Sequence, residues 1–319
     1  MGTPALWVGF LLGVVAVVAI DLNLSAGKPV SARTAAIWTG VWVSLSLGFA
    51  AFLYTLGGTT AALPFLTAYI IEYALSVDNL FVFIIIFSFF KVPTAAQHRL
   101  LYWGIVGAFI LRGALIAAGT TLVQRFEWIL YIFGAFLLYT AWKLLSSSGT
   151  DDEVDPANNP MLKLARRVLP VAEGDHGLHF MVKQDGRRKV TTLFLVLLVV
   201  ETSDLLFALD SIPAVLSISQ DPFIVFSSNA CAILGLRSLF FVVNSLMDKF
   251  RYLKIGLGLI LGFVGIKLCL ETAFAEYAHG HEAIVISVSL GFIALTLAGS
   301  IIASILIKPK PEASPAEHV

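Results

Sequence analysis

The chain has 319 residues, 58% hydrophobic and only 13% charged, with a mean hydropathy of +0.88. Soluble domains run near half apolar and a quarter charged, so this composition excludes an ordinary soluble protein and describes an integral membrane one. Lys plus Arg and Asp plus Glu balance at 21 each, which argues against nucleic acid as a partner.

From the N-terminus, no Lys, Arg, Asp or Glu occurs between Gly2 and Ile20 or between Thr34 and Ile71. Each stretch holds a span of ~20 residues. The first lacks a positive leading region and reads as a retained span rather than a signal peptide. Hydropathy then places further spans near 64–90, 98–120, 126–145, 191–218, 223–247, 254–274 and 283–307, after the first two at 4–21 and 35–56. The fold class expected is an all-α polytopic membrane protein of about nine transmembrane helices. The only sizeable polar connection is 146–190, which mixes Ser, Gly, Asp, Asn and Pro with LARR and GRRK, and the tail from 308 to 319 reads as disordered.

Counting Lys and Arg on alternate sides of these spans puts sixteen on one side and Arg125 alone on the other. The positive-inside rule then predicts an inner-membrane protein with its N-terminus outside and its C-terminus and the 146–190 loop in the cytoplasm, the basic loop meeting lipid headgroups.

The chain repeats itself. Setting EYALSVDNL (72–80) over DLLFALDSI (204–212) matches Glu72 with Asp204, Asp78 with Asp210 and Asn79 with Ser211. AFILRGAL (108–115) follows against AILGLRSL (232–239), bringing Arg112 to Arg237 within one residue of gap, and the stretches starting at Phe126 and Phe250 then align Lys143 with Lys267. Three spans per copy invert the second copy in the membrane, an arrangement of transporters whose sites sit where the copies meet. The expected organisation is two N-terminal spans (1–62), repeat 1 (63–145), the loop (146–190), repeat 2 (191–275), a last span (276–307) and the tail (308–319).

Five carboxylates, Glu72, Asp78, Glu201, Asp204 and Asp210, fall inside these spans. Each costs about 2.5–3.5 kcal/mol at a helix centre in lipid, so five isolated ones would cost roughly 12–18 kcal/mol, and an ion or proton pathway is the default reading. Glu72, Ser76 and Asn79 share a helix face at i, i+4 and i+7, and Glu201 and Asp204 are neighbours at i and i+3. Asp210 would point away on an ideal helix, but a kink at Pro213 is expected to re-aim it, and the third span, bounded by Pro64 and Pro93, is expected to be tilted or broken. Carboxylate, amide and hydroxyl oxygens without His or Cys suit Mn²⁺, Mg²⁺ or Ca²⁺ and disfavour Zn²⁺ or Cu⁺. Arg112 and Arg237 offset two of the five charges and are expected to hold unliganded carboxylates between cycles, leaving enough negative charge for one divalent ion.

Other conspicuous residues have plainer readings. Lys143 and Lys267 at span ends are expected to snorkel, and Asp21 and Glu271 to be interfacial. His176, His179, His279 and His281 lie in polar loops and read as solvated, HGH (279–281) with Glu276 and Glu282 being at most a weak ion-capturing cluster. Cys231 and Cys269 read as small hydrophobes, and GLGLILGFVG (256–265) as small-residue helix packing. No nucleophile–base pair, nucleotide loop or prosthetic-group motif emerges, so no enzyme is expected.

EYALSVDNLFVF (72–83), YIFGAFLL (131–138), VETSDLLFALDSIPAV (200–215) and DPFIVFSSNACAILGLR (221–237) resemble the most recognisable segments of the TerC family, named for tellurium resistance, and in particular its Alx-like manganese exporters. The resemblance implies a LysE-type transporter fold of two inverted three-helix repeats, efflux of Mn²⁺ or a related divalent cation, and an acidic cluster falling on Glu72, Asp78, Asn79, Glu201, Asp204 and Asp210, with Ser76, Ser211, Arg112 and Arg237 in support. The expected function is Mn²⁺ efflux by alternating access, the ion being cargo rather than a resident cofactor. The alternatives are an exporter of an amino acid or other organic cation, and a membrane scaffold or metal sensor linked to tellurite or metal stress.

Overall fold

The computed structural model describes residues 2–25, 31–126, 128–146, 160–172, 174, 176–184, 186–246, 252–273 and 282–306. Its elements are α1 (Pro4–Ser25), α2 (Ala32–Gly57), α3 (Thr59–Phe89), α4 (Thr94–Arg125), α5 (Ile129–Ser146), α6 (Pro160–Val168), the strands β1 (Met181–Gln184) and β2 (Arg187–Val190), then α7 (Thr192–Leu216), α8 (Pro222–Leu234), α9 (Leu236–Leu246), α10 (Leu253–Ala273) and α11 (Glu282–Leu306). Among the described residues six helices are long and apolar enough to cross a membrane, the pair α8 and α9 makes a seventh span if taken together, and α1 and α10 supply two shorter apolar stretches. Large apolar side chains such as Leu12, Ile110, Leu206, Ile284, Leu295 and Leu306 are left on the outside, as lipid rather than water requires.

Local chemistry sets the helix boundaries. The Thr191 hydroxyl accepts from Phe194 N at the start of α7, and Asp221 Oδ1 accepts from Phe223 N at 2.8 Å and Ile224 N at 3.3 Å ahead of Pro222, the first residue of α8. Gly58, at φ 62, is the single residue between α2 and α3, where a side chain would be strained.

α3 is unbroken over 31 residues, with Pro64 in its second turn rather than at its edge. A proline so near the N-terminus sacrifices little backbone bonding. At ~1.5 Å per residue α3 outruns a ~30 Å hydrocarbon core, so tilt rather than a break accommodates it. α7 likewise runs through Pro213 to Leu216. The break falls elsewhere: what reads in the sequence as one span, 223–247, is α8 and α9 bent by 48° at Gly235.

α3 is the central helix, packed by α2, α7, α8, α9 and α11. α4 packs on α7 while α3 packs on α8, and α5 lies along α10. Apolar association between helices gains little in lipid, so close backbone approach matters there. A Cβ on Gly265 of α10 would sit 3.0 Å from the Gly134 carbonyl of α5, and one on Gly134 would sit 2.5 Å from Cys269 Sγ. Gly265→Val is therefore expected to lower stability by about 1–3 kcal/mol through overpacking, measured as unfolding in detergent, whereas Gly291→Val on α11, which meets nothing within 4 Å, should not.

The 146–190 connection has its own structure. α6 buries Leu162 and Ala165, and the hairpin pairs Met181 with Val190. Thr191 ties it to the start of α7, its hydroxyl donating to the His179 carbonyl at 2.6 Å. The tail from 308, His279, His281 and Glu276 lie outside the described residues, as do the side chains of Asp21, Glu271 and Glu282.

Candidate functional site

The acids of the two sequence motifs separate into two environments. In the first, α3, α4 and α7 bring together Glu72, Arg112 and Asp204, which are 0%, 1% and 3% exposed. Arg112 grips Asp204 with both arms of its fork, Nε donating to Oδ2 at 3.1 Å and Nη2 to Oδ1 at 2.9 Å. Its third nitrogen, Nη1, is in ion-pair contact with Glu72 Oε1, without hydrogen-bond geometry. Planar, bidentate recognition is what a guanidinium supplies and an ammonium does not. The two acids that the sequence repeat sets in register thus share Arg112.

Other buried oxygens on α3 and α7 lack hydrogen-bond partners among the described residues. Glu72 Oε2, Ser76 Oγ, Ser211 Oγ and Glu201 Oε2 are buried and have no hydrogen-bond partner among the described residues. Buried polar atoms are rarely left so, and each orphan calls for an explanation such as an ion. Glu201, one turn before Asp204 on α7, is half-buried and within electrostatic reach of it. Its carboxylate lies against Gly107 of α4, where any Cβ would overlap it. Asn79 is buried on the face of α3 that carries Glu72 and Ser76. Asp78 lies on α3 with its side chain outside the described residues, and among those described no three His, Cys, Asp or Glu side chains gather as a metal cluster.

The second environment belongs to Asp210. It faces α5, where its Oδ1 accepts from Thr140 Oγ1 at 3.0 Å and Lys143 is within electrostatic reach. The helix at Pro213 does not turn Asp210 toward Arg112, because six residues from Asp204 on a continuous helix amount to about 600°, which points it to the other side.

The basic residues also divide. Arg237 is buried on α9, within electrostatic reach of His98 on α4, whose ring is tilted on Phe241 at 4.5 Å between centroids. His98 is a residue that sequence reasoning missed: both ring nitrogens are buried and have no hydrogen-bond partner among the described residues. Only its place inside an apolar helix, rather than a polar loop, could have signalled it. Lys143 is exposed as expected for a snorkelling residue, but Lys267 is buried and its Nζ donates to the Ser217 carbonyl at 3.0 Å. Ser217 caps the C-terminus of α7, where carbonyls lack helical partners and a cation is favoured.

An all-helical bundle with lipid-facing apolar flanks and buried ionisable groups at its centre defines an all-α polytopic membrane protein. A family model described as "Integral membrane protein TerC family" matches residues 57–312, and the chain belongs to that family. It is 42% identical to the "Putative membrane-bound redox modulator Alx" of Escherichia coli, covering 93% of this chain and 94% of that one. It is also 42% identical to an uncharacterized membrane protein of Myxococcus xanthus (95% and 94% covered) and 40% identical to the "Thylakoid membrane protein TERC, chloroplastic" of Arabidopsis thaliana (87% and 69% covered). No solved structure matches the chain.

Proposed function

We propose that the protein is a divalent metal cation transporter of the inner membrane that exports Mn²⁺ by alternating access between two inverted repeats, α3–α5 and α7–α10. The observation that carries this reading is the buried centre itself. Glu72 and Asp204 share Arg112, with Glu201 one turn away on α7, and the buried oxygens without a hydrogen-bond partner among the described residues are carboxylate and hydroxyl. Such donors in a desolvated site suit a hard divalent ion. Asp78, Asn79 and Asp210 complete the proposed set, Asp210 from its separate position beside Thr140. The basic bias of the loops supports an N-terminus outside and a C-terminus in the cytoplasm.

Two other readings remain. An exporter of amino acids or organic cations would need a roomy cavity at the acids; a ~470 Å³ cavity among the described residues lies between α1, α2 and α8 and is lined by apolar groups such as Phe10, Phe49 and Phe223. The Alx relatives are named as redox modulators, which favours a sensor of metal or redox stress as the second reading; here the two cysteines are free thiols, on α8 and α10. The deciding experiment is Mn²⁺ flux into proteoliposomes, with and without a pH gradient, for the wild type and Asp78→Asn. Flux lost in the variant supports a cation carrier, and a response to pH indicates proton coupling. Saturable Mn²⁺ binding without flux in the wild type would overturn transport in favour of the sensor.

A further inference from the structure

Gly107 and Glu201 meet where α4 and α7 pack on each other. The two helices run in the same direction, in a register marked by four contacts: Gly104 with Val200, Gly107 with Glu201, Arg112 with Asp204, and Gly119 with Ile212 and Leu216. At Gly104 an added Cβ would come 3.5 Å from Val200 Cγ1, which is ordinary van der Waals contact, and at Gly119 it would come 3.2 Å from Leu216 Cδ1. Gly107 differs from both. A Cβ there would overlap Oε1, Oε2 and Cδ of Glu201 at once, and these atoms are the far end of a flexible side chain. The carboxylate, rather than the backbone of α7, fills the space that this glycine leaves.

The sequence repeat supplies a comparison. Tyr69 stands three residues before Glu72, as Glu201 stands three before Asp204, and Cys231 precedes Ala232 as Gly107 precedes Ala108. The counterpart of the Gly107–Glu201 contact is thus Cys231 with Tyr69. These two lie within electrostatic reach of each other, α8 packing on α3 as α4 packs on α7. Helices can therefore approach at this position with a full side chain present, so the glycine on α4 answers to the carboxylate and not to helix packing.

The place of that carboxylate matters. Glu201 Oε2 is buried and has no hydrogen-bond partner among the described residues, one turn along α7 from Asp204, and an orphaned carboxylate oxygen is a lone pair available to a cation. Resting on the transport reading above, we propose that Gly107 is the positioning residue of the ion site: its missing side chain lets the Glu201 carboxylate lie on α4, and the cargo ion is taken on this α4–α7 side. A methyl group at 107 swings the carboxylate off α4 into another rotamer, so one oxygen donor is moved while its charge stays in the protein.

The test is Mn²⁺ binding to the purified full-length protein in detergent, read as loss of the free ion's electron paramagnetic resonance signal, beside Mn²⁺ flux in proteoliposomes. Gly107→Ala should weaken Mn²⁺ binding by about 10–100-fold, the range for groups that orient a metal ligand, with the unfolding temperature unchanged. Gly104→Ala, the same substitution one turn earlier, should change neither. In a Glu201→Ala background, where the overlapping atoms are gone, Gly107→Ala should cause no further loss. The shorter Glu201→Asp background carries the test if Glu201→Ala leaves no binding to measure, and there the effect of Gly107→Ala should shrink. Wild-type affinity in Gly107→Ala, an equal loss in Gly104→Ala, or an undiminished further loss in the Glu201 backgrounds overturns the positioning role. So does a fall in unfolding temperature confined to Gly107→Ala, which would make the glycine a packing residue. Flux in the wild type with normal binding in Gly107→Ala removes only the positioning role. Binding without flux in the wild type removes the transport reading and leaves the positioning role to be read from binding, and no wild-type binding removes both.

Discussion

Asp204→Asn is expected to destabilise the protein far more than Asp210→Asn, by about 3–5 kcal/mol against about 0.6 kcal/mol. The two residues lie six apart on one helix and are both aspartates inside a membrane span, and the sequence reading assigns both to one acidic cluster, Asp210 by way of a kink at Pro213. Their partners differ. Asp204 is 3% exposed and accepts two hydrogen bonds from Arg112, whose charge is otherwise met only by Glu72 among the described residues. Neutralising Asp204 leaves a buried guanidinium with half its compensation, and removing one partner of a buried pair costs more than the pair itself contributes. Asp210 is half-buried and accepts from one hydroxyl, and hydrogen bonds between helices in a bilayer average only about 0.6 kcal/mol. Thermal unfolding in detergent, followed by intrinsic fluorescence, measures both. Equal losses would mean that the two acids do not occupy the different environments described here.

On the proposed transport reading, Glu72→Gln and Asp204→Asn are each expected to reduce Mn²⁺ flux by about 100-fold, since groups that merely support a metal ligand already cost 10–100-fold when lost. A loss of flux by itself confuses function with folding. The double variant Arg112→Gln with Asp204→Asn separates them, because it removes both charges of the gripped pair and leaves no unpaired guanidinium. It should recover much of the stability lost in Asp204→Asn, with a coupling of order 0.5–3 kcal/mol, while transport stays lost. Recovery of flux along with stability would show that Asp204 is scaffolding for Arg112 and not part of the ion's path. Persistent instability in the double variant would show that Glu72 depends on the arginine as strongly as Asp204 does.

Much of this molecule can be read from composition and pattern. Uninterrupted apolar runs fix where the helices lie, because lipid leaves the backbone no other way to satisfy its hydrogen bonds. Buried acids at helical spacing identify the centre, since charge inside a span is too costly to be casual. The faces of single helices were legible as well: Glu72, Ser76 and Asn79 are all buried, as their spacing of four and three residues implies. The pairing of Arg112 with acids was foreseen in kind, though not which acids.

What the pattern could not supply is how each helix is rotated against its neighbours. A helix apolar on nearly every side has no polar face to say which way it turns, and periodicity relates residues only within one helix. Packing therefore decided that Asp210 faces Thr140 and not Arg112, and that Lys267 caps α7 instead of reaching the interface. Only the tertiary structure brought His98 within electrostatic reach of Arg237 and placed the bend at Gly235. The sequence by itself determined an all-helical membrane protein with acids and arginines in its interior, because transfer energies act residue by residue. Which acid meets which arginine was decided by the tertiary structure alone, because ion pairing at 3 Å depends on the mutual rotation of three helices, and no single helix carries that information.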